Sequence, residues 1–262
     1  MVRCFENADV THVEGRIDPN ADIETIETEL MLADLDSLER RVDALEKRAR
    51  GADKEAKETL AVVNRALGLL REGKPARLLM RKPEEERAFH TLGLLTSKPV
   101  LYVCNVEEAS ASTGNAYSRA VEVRAQIEDA GCVVISAQIE AEIAGLAAAE
   151  RTDYLAAIGL KEPGLDRLIR AGYALLDLVT FFTVGPKETR AWTITRGSRA
   201  PQAAGVIHTD FERGFIRAET IAYGDYAVLG GEAGARDAGK LRLEGKDYVV
   251  ADGDVMHFRF AT

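Results

Sequence analysis

Pro99-Val100-Leu101-Tyr102-Val103-Cys104-Asn105-Val106-Glu107-Glu108 is the stretch from which the fold can be read outward. Its apolar run, Val100 to Cys104, is continuous rather than alternating, the pattern of a strand buried on both faces of a parallel sheet. Asn105 marks the strand's carboxyl end. A helical stretch follows from Ala116 to Ala130, with Gly131 placed where a left-handed cap residue belongs. A second buried run, Cys132 to Ile135, ends in Ser136-Ala137-Gln138. The segment reads as one β-α-β unit with two polar tips on the same sheet edge. In open α/β sheets the ligand crevice lies outside the carboxyl ends of the strands, so both tips are placed to meet a ligand.

The chain has 262 residues, enough for one large or two ordinary domains. A hydrophobic fraction of 46% with 29% charged residues describes a globular protein. The net charge of -9 and pI near 5.2 argue against a general nucleic-acid binder, while leaving room for a local basic patch. Cys4, Cys104 and Cys132 are odd in number, lie in apolar runs and lack metal-ligand spacing. They read as reduced core thiols, which predicts a cytoplasmic protein. No apolar stretch approaches membrane-spanning length, and Met1-Val2-Arg3 opens no signal peptide.

In chain order, Val2 to Phe5 reads as the end of a buried strand, and Asp18-Pro19-Asn20 as a turn, with Asp22 capping the next helix. Ile23, Ile26 and Leu30, then Leu35, Leu38, Val42, Leu45 and Ala49, form an apolar stripe with one break in register. Gly51-Ala52-Asp53 turns the chain, and Ala56, Leu60, Val63, Leu67 and Leu70 carry the stripe back to Lys74-Pro75. This predicts an antiparallel coiled-coil hairpin. Gly68 to Pro75 matches a phosphate loop except at its last residue, where Pro75 replaces the hydroxyl that would bind Mg²⁺. It sits in a helical pattern and is rejected. The hairpin tip holds Arg40, Arg41, Lys47, Arg48, Arg50, Lys54 and Lys57 interleaved with Asp43, Glu46, Asp53, Glu55 and Glu58, either a solvated face of paired charges or a contact surface for RNA or protein. Pro83-Glu84-Glu85-Glu86 starts another helix. Ile139 to Leu160 and Leu165 to Leu176 read as helical, and Glu140 and Glu142 as surface acids. From Leu178 short strands are expected at Val179–Val184, Thr189–Thr195, Asp247–Val250 and Val255–Phe260. His208, Asp210 and Glu212, spaced by two, suggest an exposed strand or turn and too few ligands for a metal. Trp192 reads as core or a docking surface.

The two tips resemble the base-reading motifs of GTPase-class proteins, Asn-Lys-x-Asp and Ser-Ala-Lys, here Asn105-Val106-Glu107-Glu108 and Ser136-Ala137-Gln138. Asp accepts from both N1–H and the 2-amino group of guanine; Glu108 is one methylene too long for that, and Val106 offers an apolar contact in place of Lys, so the site reads as adenine-tolerant. Val2-Arg3-Cys4-Phe5-Glu6, Val10-Thr11-His12-Val13-Glu14-Gly15-Arg16-Ile17-Asp18-Pro19 and Ala203-Ala204-Gly205-Val206-Ile207-His208-Thr209-Asp210-Phe211 strongly resemble the Obg-like ATPase family, YchF type.

That resemblance implies an α/β fold: the C-terminal part of a P-loop NTPase (Obg-type G) domain with an inserted antiparallel helical coiled-coil hairpin, followed by a β-grasp TGS domain. The implied boundaries are 1-22 and 83-160 for the partial nucleotide domain, 23-82 for the hairpin and 177-260 for the TGS domain. The family's phosphate loop, switch segments and Mg²⁺-holding Asp-x-x-Gly, about a hundred residues, are expected ahead of Val2 and outside this chain. The resemblance further implies a redox- or translation-associated ATPase that binds ATP, with GTP as an alternative. Asn105, Val106, Glu108, Ser136 and Ala137 would bind the base, and the backbone at Val106 would lie closer to it than the side chain. Mg²⁺ would come only through the missing segment, and no catalytic or metal residue is assigned within this chain. The expected partners are the ribosome or ribosomal RNA, with no DNA and no membrane. The alternative is a non-enzymatic ribosome- or RNA-binding module acting through the hairpin and the TGS surface.

Overall fold

The computed structural model describes residues 1–7, 16–51 and 53–261, so the stretch from Val10 to Gly15 in the second quoted string lies outside the described residues. The chain forms two compact units, Met1–Ala171 and Gly172–Thr262.

In the first unit, β1 (Val2–Arg3), β2 (Leu101–Asn105) and β3 (Gly131–Ile135) form a parallel sheet in the order β1-β2-β3. Asn105 lies opposite Ile135, which brings the two polar tips side by side. The central strand β2 is buried at Tyr102, Val103 and Cys104. The edge strand β3 differs from the expectation: only Ile135 is buried, because an edge strand is covered less than a central one. The helix α4 (Ala116–Ile127) ends before Ala130, and Asp129 rather than Gly131 takes the left-handed conformation, at φ 53. Gly131 serves a different need, since a Cβ there would lie 2.7 Å from Leu101 Cδ1.

Between β1 and β2 the chain makes α1 (Pro19–Ala49) and α2 (Lys54–Arg71), folded back on each other. Asp18, not Asp22, caps α1: its Oδ1 accepts from Ala21 N at 3.1 Å, and Pro19 fits the first helical position because its missing N–H has no partner to lose. The helix runs unbroken through the change in register. Leu38, Val62, Val63, Ala66, Leu67 and Leu70 bury the hairpin seam, with Met31, Leu35, Val42 and Leu45 partly buried beside them. The stripe's beginning does not join that seam: Ile23 packs with the sheet, while Ile26 is 56% exposed. Gly68 to Arg71 lie within α2, so the segment resembling a phosphate loop is helical in its first half.

Asp34, only 3% exposed, anchors the root of the hairpin, accepting from Leu95 N, Thr96 N and Thr96 Oγ1 at 2.7 to 2.8 Å. Pro83–Glu85 is a 3₁₀ turn that leads into α3 (Glu86–Leu92). Beyond β3, the expected single helix is two, α5 (Ala137–Gly145) and α6 (Ala148–Ala157), followed by α7 (Gly164–Leu175), which runs through the boundary between the units. Glu140 is not a mere surface acid. Its carboxylate accepts from Gly164 N (2.7 Å) and Leu165 N (3.2 Å), satisfying orphan donors at the start of α7.

The second unit is a five-stranded mixed sheet in the order β5-β4-β8-β6-β7. Its strands are β4 (Leu178–Val184), β5 (Thr189–Thr195), β6 (Phe215–Ala222), β7 (Arg242–Glu244) and β8 (Asp254–Phe260), with β4 and β8 parallel at the centre. The helices are α8 (Ala200–Ile207), α9 (Thr209–Arg213), α10 (Tyr223–Val228) and α11 (Glu232–Asp237). Val179, Phe181, Ile194, Met256 and Phe258 meet the Ala face of α8 in the core. Asp247 to Val250 form no strand, and only Val249 makes an isolated bridge, to Arg199. His208, Asp210 and Glu212 lie at a helix start, not in a strand or turn: His208 caps α9, with Nδ1 accepting from Asp210 N at 3.2 Å. Trp192 is partly buried on the core, donates to Thr183 Oγ1 and is covered by the Arg190 guanidinium.

Candidate functional site

The carboxyl edge of the parallel sheet brings all five expected residues together. Asn105 ends β2, and its Oδ1 accepts from Ala137 N at 2.9 Å, so one tip is tied directly to the other. Val106 N donates to Ile135 O at 2.9 Å, extending the same link by one residue. The Val106 side chain is 2% exposed and packs among Val2, Cys4, Tyr102, Cys104 and Val121. It therefore makes no apolar contact with a ligand, because the sheet core claims it. What residue 106 presents at the edge is backbone. Glu108 opens a 3₁₀ turn (Glu108–Ser110) and is exposed. Ser136 is 2% exposed and precedes α5; among the described residues its hydroxyl has no hydrogen-bond partner.

Two residues that the sequence reading passed over complete this edge. Glu107 accepts from Ser110 Oγ and, through Oε2, from Asn115 Nδ2 at 3.0 Å. Burial raises the Glu107 carboxyl, but hydrogen bonds from Ser110, its own backbone and Asn115 outweigh that and leave it below its ordinary value. Asn115 also caps α4, with Oδ1 accepting from Ser118 N at 3.0 Å. The signal was present as Asn115-x-x-Ser118, a polar residue just ahead of a helix with a hydroxyl at its third position.

The three thiols lie in the core of this sheet, Cys104 one residue before Asn105 and Cys132 opposite Tyr102. Cys104 and Cys132 approach at 3.7 Å between their Sγ atoms, and all three cysteines are free. The contact with Cys132 lowers the Cys104 thiol, but the Cys4 thiol and burial outweigh it and push Cys104 up to about 12. The Cys104 contact and burial push Cys132 further up still. Among the described residues no group of three or more His, Cys, Asp or Glu side chains could hold a metal ion. No described helix is long and apolar enough to cross a membrane.

A cleft of about 1060 Å³ opens at the opposite, amino edge of the sheet, walled by Ile26, Leu30, Leu78, Leu95 and Ile127. Four of its charged groups form one network: Arg124 pairs with Glu27 and Glu128, both at 2.8 Å, and Arg77 with Glu27 at 3.2 Å. Tyr102 donates to Glu128 at 2.6 Å, and burial, then that bond, raises its phenol. The network fastens α1 to α4 and β2. Lys98 and Asp129 also line the cleft.

A parallel sheet with paired polar tips at its carboxyl edge, interrupted by a helical hairpin and followed by a mixed β-sheet unit, has the layout of an α/β protein of the nucleotide-binding class. Comparison with known proteins narrows this. Residues 178–261 match the family YchF-GTPase_C, described as a protein of unknown function (DUF933). The chain is 54% identical over 260 residues to the "Ribosome-binding ATPase YchF" of Haemophilus influenzae, covering 99% of this chain and 71% of that protein. It is 48% identical over 262 residues to the protein of the same name in Bacillus subtilis, covering 99% and 72%. It is 41% identical over 268 residues to "Obg-like ATPase 1" of Rattus norvegicus, covering 100% and 67%. The structure of the Schizosaccharomyces pombe YchF GTPase superposes with a TM-score of 0.82 at 33% identity, covering 98% of this chain and 70% of that one. The chain belongs to the YchF and Obg-like ATPase family of ribosome-associated ATPases.

Proposed function

We propose that this chain supplies the base-reading edge of an adenine nucleotide site in a cytoplasmic, ribosome-associated ATPase. The observation that carries the reading is the hydrogen bond from Ala137 N to Asn105 Oδ1, which makes one surface of the two tips. Asn105, the backbone at Val106, and Glu108 meet the base on one side, and Ser136 and Ala137 close the other. ATP is the preferred ligand and GTP the tolerated one. The phosphates and Mg²⁺ are held by groups outside these residues. The names of the relatives, ribosome-binding ATPase and Obg-like ATPase, support the ribosome as partner.

The second unit is a TGS domain of β-grasp type, a reading supported by its central parallel pair of strands and the helix packed on them. The hairpin is a coiled-coil insertion, supported by the seam between α1 and α2. Its basic tip carries less weight as an RNA surface, since Arg40, Arg48, Arg50 and Lys54 each pair with a neighbouring carboxylate. The reading includes no redox role, because Cys4 and Cys104 are fully buried in the sheet core and all three thiols are free.

The test is titration with ATP and GTP of a chimera in which the phosphate-binding segment of a family relative precedes Met1. The parent should bind ATP at least as tightly as GTP, and Glu108→Asp should move the ratio toward GTP. Losing a charged hydrogen-bonded pair of this kind costs about 2–5 kcal/mol, so the shift should be tens-fold or more. Strong GTP preference in the parent, or an unmoved ratio in the variant, would refute the reading.

A further inference from the structure

The loop between β2 and α4 is fixed at its beginning by backbone: Cys4 N donates to Asn105 O at 2.8 Å and Val106 N to Ile135 O at 2.9 Å. At its end Gly114 N donates to Ser110 O at 2.8 Å, and one side chain ties the loop to its neighbours. Asn115 Oδ1 faces α4 and accepts from Ser118 N at 3.0 Å, while Nδ2 donates to Cys4 O (2.6 Å) and Glu107 Oε2 (3.0 Å). A single amide thus joins the chain leaving β1, the base loop and the start of α4. We propose that Asn115, acting through Glu107, is the positioning residue that holds loop 105–111 against the end of β1 and so sets the base selectivity of that loop. The inference rests on the base-reading function proposed above.

Capping alone does not call for Asn, because Asp and Ser serve a helix start equally well. Only an amide offers an acceptor to the helix and two donors in the other direction. Both donors meet acceptors that nothing else here replaces, a backbone carbonyl and a carboxylate. The turn ahead of it is tight: Gly114 has φ +67, and a Cβ there would lie 2.6 Å from Ser118 Oγ. Tyr117 ties α4 to Glu6 at 2.8 Å, but that bond does not reach the loop.

Asn115→Asp separates the two roles. The carboxylate still caps α4, but it turns an oxygen toward Cys4 O and a like charge toward Glu107. Hydrogen exchange on the 262-residue chain should show the amides of Ser110 and Ala111 exchanging about tenfold faster, the loss expected for hydrogen bonds to a charged group, while Val106, held by Ile135 O, keeps its protection. The α4 amides from Val121 to Arg124 should keep their protection. Adding Glu107→Gln should restore the loop, since Gln donates to the new carboxylate. Unchanged loop exchange in Asn115→Asp, or loss shared with α4 that Glu107→Gln does not repair, overturns the proposal. In the chimera, Asn115→Asp should bring the ATP-to-GTP affinity ratio toward unity. A loosened loop with an unmoved ratio also overturns the proposal. A chimera that binds neither nucleotide refutes the base-reading function instead, and the exchange measurements then decide whether Asn115 holds the loop.

Discussion

Val106→Lys places the residue usual in GTPase-class tips at a position that this fold has buried. The valine is 2% exposed and touches the cluster of Val2, Cys4, Tyr102, Cys104 and Val121. A longer side chain in filled space costs about 1–3 kcal/mol. The ammonium then stays unpaired in an apolar cluster or bends back toward the strand end, and either outcome adds to the cost. Together these put the destabilisation at about 3 kcal/mol or more, a large share of the roughly 5–15 kcal/mol that holds a domain folded. Trp192 is the chain's single tryptophan and lies in the second unit, whereas the long helices α1 and α2 lie in the first. Urea unfolding can therefore be followed for the units separately, the first by helical circular dichroism and the second by tryptophan emission. With a slope of about 1–3 kcal/mol per molar urea, the helical midpoint should fall by about 1 M or more while the Trp192 transition stays in place. Val106→Met, which keeps the position apolar, should cost less than about 1.5 kcal/mol. A Val106→Lys helical midpoint within about 0.3 M of the parent would show that side chain 106 reaches solvent, and the assignment of base contact to the backbone would fail. The same reasoning makes Glu108→Asp alone the clean probe of base choice.

On the proposed reading the groups that hold the phosphates and Mg²⁺ lie outside these residues, so the 262-residue chain should show no ATP turnover above buffer; turnover abolished by Glu108→Ala would contradict this. At pH 8 Cys104, held near 12, has roughly 10⁻⁴ of its thiol ionised, so native labelling by a disulfide reagent should be about a thousandfold slower than for a free cysteine, with urea restoring the rate. A thiol raised in the folded state gives its full stabilisation below the unfolded value near 9 and loses it as pH climbs toward 12, so the first unit should weaken above about pH 9. Rapid native labelling, or stability flat through that window, would count against the burial that the sheet imposes on these groups.

The sheet and its tips were legible because a central parallel strand leaves an unbroken apolar run, and here that run stops at Asn105. The same logic overreached at β3, where an equally apolar run lies at an edge and is covered on fewer sides. Asp34 could not be read, since one acid in a polar helix looks like a solvated residue until the turn at Leu95 and Thr96 folds onto it. In the second unit β6 escaped notice because Arg217 and Glu219 interrupt its apolar residues. They lie on the face away from the core, where Glu219 pairs with Arg259 of β8. His208 misled for a related reason: spacing by two suits a strand, but a capping side chain followed by acids suits a helix start equally well.

The tip contact bears on base choice through which groups remain to meet a ligand. Asn105 Oδ1 is engaged by Ala137 N, so a base that meets Asn105 meets its amide hydrogens. Those hydrogens suit N7, an acceptor that adenine and guanine share, and so do not discriminate. Discrimination falls to the six-position, where guanine carries a carbonyl that needs a donor and adenine an amino group that needs an acceptor. Ala137 N–H, the backbone donor at the second tip, already has its partner in Asn105. Val106 N–H is committed to Ile135 O, which leaves the Val106 carbonyl and the Glu108 carboxylate as acceptors along the loop. On the proposed reading these two acceptors suit the amino group of adenine, while the Ser136 hydroxyl, unpartnered among the described residues, is left as a donor for a carbonyl and fits GTP as the tolerated ligand. The preference for adenine on the proposed reading thus rests on which backbone groups the sheet edge has used together with Glu108, whose replacement by Asp restores the shorter acceptor that suits guanine.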